Sequence, residues 1–380
     1  MRPGNIDGVH RTTVLRSDDL EYDLPPGLIA TRPAEPRDSA RLMVVSRTDP
    51  ALLEHAHVRD LPRFLLAGDV MVRNASRVLP ARLEGVRRDS AGRVGGLFLH
   101  EPAPGVWRVL LRSNGKLRPG VVIDLLDAHG VRGGVSLTLD ARDEEAWLAR
   151  PSLEGAASTP DAPALLARIG ATPLPPYILR ARRERSLDLD DDLDRAWYQT
   201  VYASDAHAGS VAAPTAGLHF TPGLLARLES MGVRGADLAL HVGAGTFKPV
   251  ESAHVEEHPI HSEWCEVPGD TLRAVDEARA RGGRCVAIGT TSARALESVP
   301  EGHADAWRGE TRLLITPGYE WKRVDTLLTN FHLPRSTLLA MVAALFPEPG
   351  GVQRLLALYA TAVRERYRFY SYGDAMLILP

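Results

Sequence analysis

Cysteine is close to absent. The 380 residues hold two, Cys265 and Cys285, and they form no C-x-x-C pair. A secreted disulfide scaffold would use more, so a reducing compartment is implied. Long hydrophobic runs are also missing: the longest, residues 338–346, is far too short to cross a bilayer. The opening Met1-Arg-Pro-Gly-Asn-Ile-Asp lacks the apolar region of a secretory signal, and a cytoplasmic protein is expected. Net charge is small, at −3, which points to no polyanion partner for the chain as a whole, although local charge can differ from the total. Gly243-Ala-Gly-Thr-Phe247 lacks the third glycine of a dinucleotide fingerprint, and no P-loop lysine follows it. No internal repeat is visible. What is present is ordinary globular composition, 44% hydrophobic and 24% charged, at a length that suggests two domains and needs no disulfide or metal staple.

The densest chemistry lies between residues 209 and 263. Thr215, His219, His241, Thr246, His258, His261 and Glu263 stand there among glycines and small residues. Small residues flanking polar ones at a strand end let a backbone approach a ligand closely, and core strands rarely read that way.

Taken in order, residues 1–16 read as a flexible leader and 42–45 as a short buried strand. From 62 to 150 short apolar runs (70–72, 93–100, 106–111, 121–126 and 134–139) alternate with turn residues, which predicts a small closed or nearly closed β-barrel. Residues 71–120 carry ten basic residues against three acidic ones, a plausible phosphate-facing surface. Residues 151–170 read as a linker with a short helix, and the proline run at 173–178 as extended chain. The basic block 179–186 followed by the acidic block 188–194 predicts a mobile surface loop. Beyond 202 strands and helices alternate. Helices are expected at 221–232, 271–281, 336–346 and 352–366, and strands at 236–242, 285–288, 312–316, 325–329 and 375–379. The fold class is therefore α/β, a layered α/β domain (17–61 and 151–380) with a smaller inserted β-barrel domain (62–150).

Three stretches carry candidate sites. Gly289-Thr-Thr-Ser-Ala-Arg294 joins a strand to a helix, where hydroxyls and free N–H groups can receive an anion. Asn330 and His332 straddle the end of a strand, where α/β sheets place their ligands. Tyr367 and the residues up to Met376 form an aromatic and polar run in which Tyr370 or Tyr372 could stack on a base. His254, His258, His261 and Cys265 have a spacing that opens the alternative of a metal-dependent hydrolase. Pro259 breaks any helix that would align them, and no metal is expected.

Together these segments make the chain resemble the S-adenosylmethionine:tRNA ribosyltransferase-isomerases of queuosine biosynthesis, over nearly its whole length beyond the leader. The resemblance is carried by Pro173-Leu-Pro-Pro-Tyr-Ile178, Tyr198-Gln-Thr-Val-Tyr202, Val211-Ala-Ala-Pro-Thr-Ala-Gly-Leu-His-Phe220 and Leu240-His-Val-Gly-Ala-Gly-Thr-Phe247. It continues through His261-Ser-Glu263, Gly289-Thr-Thr-Ser292, Thr329-Asn-Phe-His-Leu-Pro334 and residues 367–376. Two stretches depart from the family pattern, Arg73-Asn-Ala-Ser-Arg77 and Arg112-Ser-Asn-Gly-Lys-Leu-Arg118.

The resemblance implies that S-adenosylmethionine serves as co-substrate and ribosyl donor, with no prosthetic group. The acceptor would be 7-aminomethyl-7-deazaguanine at the tRNA wobble position; epoxyqueuosine would form, and adenine and methionine would leave. A paralogue using the same donor on a different acceptor, or an RNA-binding protein without catalysis, are the other readings. The chemistry needs a base for the acidic C–H beside the sulfonium, an acid for adenine, and exclusion of water. His219, His241, His261 and Glu263 are the expected acids and bases. Thr215, Gly217, Gly243 and Gly245 would floor the donor pocket. Thr290, Thr291 and Arg294 would hold the methionine carboxylate, with Asn330, His332 and Asp374 at its polar edges. Arg77 and Arg82 are the expected RNA phosphate contacts. A monomer is expected.

Overall fold

The central strands open on apolar, buried runs, Val70-Met-Val72 and Cys285-Val-Ala-Ile288, and this decides the architecture. In a computed structural model describing residues 14–156, 160–187, 190–243, 250–303 and 305–380, Val70–Asn74 and Cys285–Ile288 lie side by side at the heart of a nine-stranded sheet. Strands covered on both faces read as near-continuous apolar runs, which is how these read. Val70–Asn74 pairs in parallel with Cys285–Ile288 on one side and Arg234–Leu240 on the other. Beyond Cys285–Ile288 come Thr326–Asn330, Ala375–Leu379, Arg41–Ser46 and the edge strand Leu53–His57. Beyond Arg234–Leu240 come Glu263–Val267 and Trp307–Thr311, both antiparallel to their neighbours.

Alternate residues of each strand feed two cores. Val70, Val72, Leu238 and Ala287 pack with Leu272, Val275, Leu296 and Leu339 from helices on one face. Met71, Val286, Ile288 and Leu328 pack with Phe220, Leu224 and Leu228 on the other. Helices on both faces of a largely parallel centre make a layered α/β unit.

Six strands close into a barrel: Ala146–Leu153, Val106–Ser113, Arg93–Ala103, Arg82–Arg87, Val122–Leu126 and Arg132–Asp143, in that order around it. Its interior is a separate core of Leu83, Val94, Trp107, Ile123, Leu137 and Trp147. Helix Ala162–Ile169 plugs it with Leu165, Leu166 and Ile169, and is started by Asp161, whose carboxylate accepts from the Ala164 N–H.

Several expectations need correction. The run at 70–72 belongs to the central sheet and not to the barrel, because its three residues are buried on both faces. Arg82–Arg87 and Ala146–Leu153 are barrel strands outside the expected set. The strand expected at 312–316 is instead Trp307–Thr311, whose alternating exposure suits the sheet edge. Pro176 does not extend the chain but opens helix Pro176–Glu184, the position in a first turn where a missing N–H costs nothing. The opposed charge blocks are no loose loop either. Arg182 and Asp194 form a bidentate buried ion pair, at 2.6 and 2.7 Å, and Arg182 also donates to the Thr31 carbonyl.

Candidate active site

Three parallel strands end at one rim. Cys285–Ile288 passes into helix Thr290–Ser298 through Gly289 alone, whose φ of 89° is a left-handed value that favours glycine. A Cβ at 289 would also stand 3.4 Å from that of Ala216, so the glycine lets the segment 213–216 lie against the strand end. Thr326–Asn330 delivers Asn330 beside it, and Arg234–Leu240 runs on to Val242 and Gly243. Between them lies a cavity lined by Thr215, Thr290, Thr291, Asn330, His332 and Tyr370, with Tyr177 arriving from helix Pro176–Glu184. The crevice outside the carboxyl ends of parallel strands is where open α/β sheets bind ligands.

The polar walls are mostly locked, which sets off what is free. Thr215 Oγ1 donates to Asn330 Oδ1 at 2.9 Å, and Asn330 Nδ2 donates to the Tyr370 carbonyl at 3.1 Å. Tyr370 has a left-handed φ of 73°, and its ring lies 4.6 Å from that of Tyr177. Tyr177 and Ser371 share a hydroxyl hydrogen bond of 2.6 Å. His332 Nε2 meets Thr329 Oγ1 at 2.8 Å, and burial pushes its pKa down to about 4, so the ring is neutral at pH 7. Thr291 is different: its Oγ1 is buried on the cavity wall without a hydrogen-bond partner among the described residues. An unmet buried hydroxyl is costly, and one at a helix N-terminus that borders a cavity suits an anionic ligand.

A second polar group lies outside the cavity lining, held at Gly243, next in sequence to Val242, which lines it. Glu263 and Arg294 form a buried ion pair, and the Gly243 N–H donates to Glu263 Oε1 at 2.8 Å. Burial lowers the Arg294 pKa to about 10, which leaves it charged. His241 continues from Arg234–Leu240; its ring lies 4.7 Å from that of Trp264 and packs directly over Gly209. Burial first, and His207 second, bring its pKa to about 4. Its buried Nε2 has no partner among the described residues, which leaves a neutral imidazole with one unused nitrogen.

The sequence expectations divide accordingly. Thr215, Thr290, Thr291, Asn330 and His332 line the cavity together. Gly243 follows the lining residue Val242, is not itself in the lining and donates to Glu263, and Gly245, like Thr246, lies outside the described residues. Gly217 lies beneath, against the Tyr202 hydroxyl, where no side chain would fit. Four more of the expected residues lie outside the cavity lining. His219 is buried with both ring nitrogens 2.9 Å from carbonyls, those of Ala216 and Gly373, so it braces the chain and does not face the cavity. Asp374 is spent on the Arg41 and Arg368 N–H groups. Arg294 pairs with Glu263 through one guanidinium nitrogen, and its buried Nε has no partner among the described residues. His261 is exposed and away from the cavity lining. Tyr177, Thr329 and Ser371 line the cavity and were not singled out; the aromatic residue following the proline run was the available signal for the first. Among the described residues no three His, Cys, Asp or Glu side chains converge as a metal site. His254 instead meets Glu257 at 3.1 Å, and burial pushes the Cys265 thiol up to about 12.

A second recess of about 550 Å³ adjoins the first, between the barrel wall and residues 173–176, with Arg82 on its rim. Arg77, by contrast, pairs with Asp205 at 2.6 Å.

The family model described as "Queuosine biosynthesis protein" matches residues 17–378. The chain is 47% identical to the S-adenosylmethionine:tRNA ribosyltransferase-isomerase of Gloeobacter violaceus, over 96% of each chain. It is 46% identical to the enzyme of the same name from Parvibaculum lavamentivorans, over 96% of this chain and 99% of that one. A crystal structure of S-adenosylmethionine tRNA ribosyltransferase from Thermotoga maritima, 33% identical, covers 95% of this chain and all of its own, with a TM-score of 0.51.

Proposed function

The chain belongs to the queuosine biosynthesis protein family, and we propose that it carries out the reaction its relatives are named for, the transfer and isomerisation of the ribosyl group of S-adenosylmethionine onto tRNA. The observation that carries the reading is the cavity itself. The segments that bear the family resemblance, around 177, 215, 290 and 330, come from distant parts of the chain and meet around one space. The acceptor is 7-aminomethyl-7-deazaguanine at the wobble position, and the products are epoxyqueuosine, adenine and methionine. The nine-stranded unit is the catalytic domain, and the inserted barrel begins near Arg82 and ends near Leu153.

S-adenosylmethionine is a co-substrate held by this chain's own groups. Its carboxylate sits at the N-terminus of helix Thr290–Ser298, where the unpartnered Thr291 hydroxyl adds a donor and the helix dipole favours the charge. Arg294 keeps a buried Nε without a partner among the described residues beside its pairing with Glu263, so hydroxyl and backbone N–H groups do this work next to a retained positive charge. Thr215 and Asn330, each fixed by the other, present a rigid polar edge that costs little ordering on binding. Tyr177 and Tyr370 wall off the opposite side and exclude water from the opened ribose. His241 is the base for the proton beside the sulfonium, because its free Nε2 stays unprotonated at neutral pH.

The test is mass spectrometry of nucleosides after incubation of the protein with S-adenosylmethionine and tRNA bearing the deazaguanine, with adenine release followed in parallel. Epoxyqueuosine and adenine in equal amounts are expected. Donor binding without change to this tRNA would assign the chain to another acceptor.

A further inference from the structure

The basic excess of the barrel region is smaller than its count suggests. Arg73, Arg77, Arg87, Arg88 and Arg108 each pair with an aspartate: Asp237, Asp205, Asp89, Asp124 and Asp143. Among the described residues, Arg82 and Arg112 have no ion pair, and both line the recess of about 550 Å³. Arg183 joins them across it from helix Pro176–Glu184, also without an ion pair among the described residues. The Arg82 Nε is buried and lacks a partner. Glu84 and Glu145 share the rim, so the lining remains cationic by one charge.

The floor between these guanidinium groups is apolar, built from Leu97, Leu111, Leu174 and the Pro173 and Pro175 rings. Gly95 and Gly96 keep it flat, and a side chain at 96 would run into the Leu110 carbonyl. The recess and the donor cavity are built on the same two segments: Ala212 and Pro176 line the recess, and the next residues, Ala213 and Tyr177, line the cavity.

We propose that this recess holds the single-stranded RNA next to the reacting nucleotide, with Arg82, Arg112 and Arg183 on its phosphates and the apolar floor under an unstacked base. The proposal rests on the ribosyltransferase reading. A base that reacts in an enclosed cavity must leave its stack, and its neighbours then follow the surface that adjoins the cavity. Phosphates are met by guanidinium groups and unstacked bases by flat apolar surface, and this recess offers both within reach of the cavity.

The experiment measures affinity for a fluorescently labelled anticodon stem–loop bearing the deazaguanine, by anisotropy across a salt series, for the wild type and for Arg112→Glu/Arg183→Glu. Affinity should fall on the order of tenfold per arginine. The slope of log affinity against log salt should shrink by about 1.4, two single-strand phosphate contacts. Donor affinity and melting temperature should stay at wild-type values, and Arg112→Lys/Arg183→Lys should restore most of the salt slope. Unchanged affinity and slope in the charge-reversed protein would overturn the proposal. If charge reversal lowers the melting temperature, Arg112→Gln/Arg183→Gln decides by the same two readouts. The two readings fail separately. A wild-type protein that binds this RNA but releases no adenine overturns the ribosyltransferase assignment, whereas wild-type turnover with undiminished variant affinity overturns the recess alone.

Discussion

A side chain's neighbours, more than its type, decide what it can do. Thr291 and Thr290 stand side by side in the sequence, yet only Thr291 keeps a buried hydroxyl without a partner on the cavity wall. Thr291→Val removes that hydroxyl at nearly constant volume. The Michaelis constant for S-adenosylmethionine should rise about tenfold, the worth of one hydrogen bond to a charged group. Melting temperature should hold or rise slightly, since no bond within the protein is lost. An unchanged Michaelis constant would show that the donor does not use this group. His241→Gln tests the base. Turnover should drop by about 10² to 10⁴, with donor affinity retained and with loss of deuterium exchange at the ribose carbon beside the sulfur. Exchange at the wild-type rate would move the role elsewhere. Much of the donor site was legible in the sequence at this scale, because small residues around Thr215 and the strand–turn–helix junction at Gly289 are local signals. His219 was not. A histidine between two carbonyls, those of Ala216 and Gly373, looks in sequence like any other histidine beside glycines.

Elements are set by partners that the local pattern does not contain. Helices Pro176–Glu184 and Asp191–Trp197 are bound to each other by Arg182 and Asp194, whose side chains are 4% and 6% exposed. Asp194→Ala would leave the guanidinium buried with the Thr31 carbonyl as its acceptor. The expected cost is about 3–5 kcal/mol, because removing one partner strands an uncompensated charge. Asp194→Leu with Arg182→Met should recover most of it, because an apolar pair of similar size avoids the desolvation penalty. Urea unfolding measures both, and a single variant within about 1 kcal/mol of wild type would show the pair to be expendable. The single variant should also weaken donor binding, since Tyr177 rides on the first helix. Charge blocks in sequence usually signal solvated chain, and here that reading failed because neutralisation across twelve residues is a tertiary event. The run at 70–72 failed for a related reason. Three apolar residues fit a barrel wall or a buried parallel strand equally well, and the neighbours at 234–240 and 285–288 decide. Helix Pro222–Ser230 and strand Cys285–Ile288, by contrast, were legible nearly to the residue, the first from its cap and proline and the second from its turn residues.

The molecule as a whole buries histidines in the sheet layer that bears the cavity, and this links its stability to pH. His332 and His241 titrate near 4, and burial also lowers His219. Each is a base whose folded pKa lies below its unfolded value of about 6.5. Between these values the unfolded chain binds more protons than the folded one, so stability rises with pH. The contribution is fully present above about pH 6.5 and is lost progressively as pH falls toward 4. For His332 the loss on reaching pH 4 is on the order of 3 kcal/mol, and for His241, which keeps some solvent contact, it is less. Urea midpoints at pH 7.5, 6, 5 and 4.5 should therefore decline steadily, with the slope reporting protons taken up on unfolding. His332→Gln cannot titrate and can still bond Thr329, so its midpoint should lie closest to wild type at the acid end and its slope should be shallower. A wild-type midpoint that is flat from pH 7.5 to 5 would mean that these histidines are already hydrated in the folded state. A slope unchanged by His332→Gln would place the proton uptake on other groups.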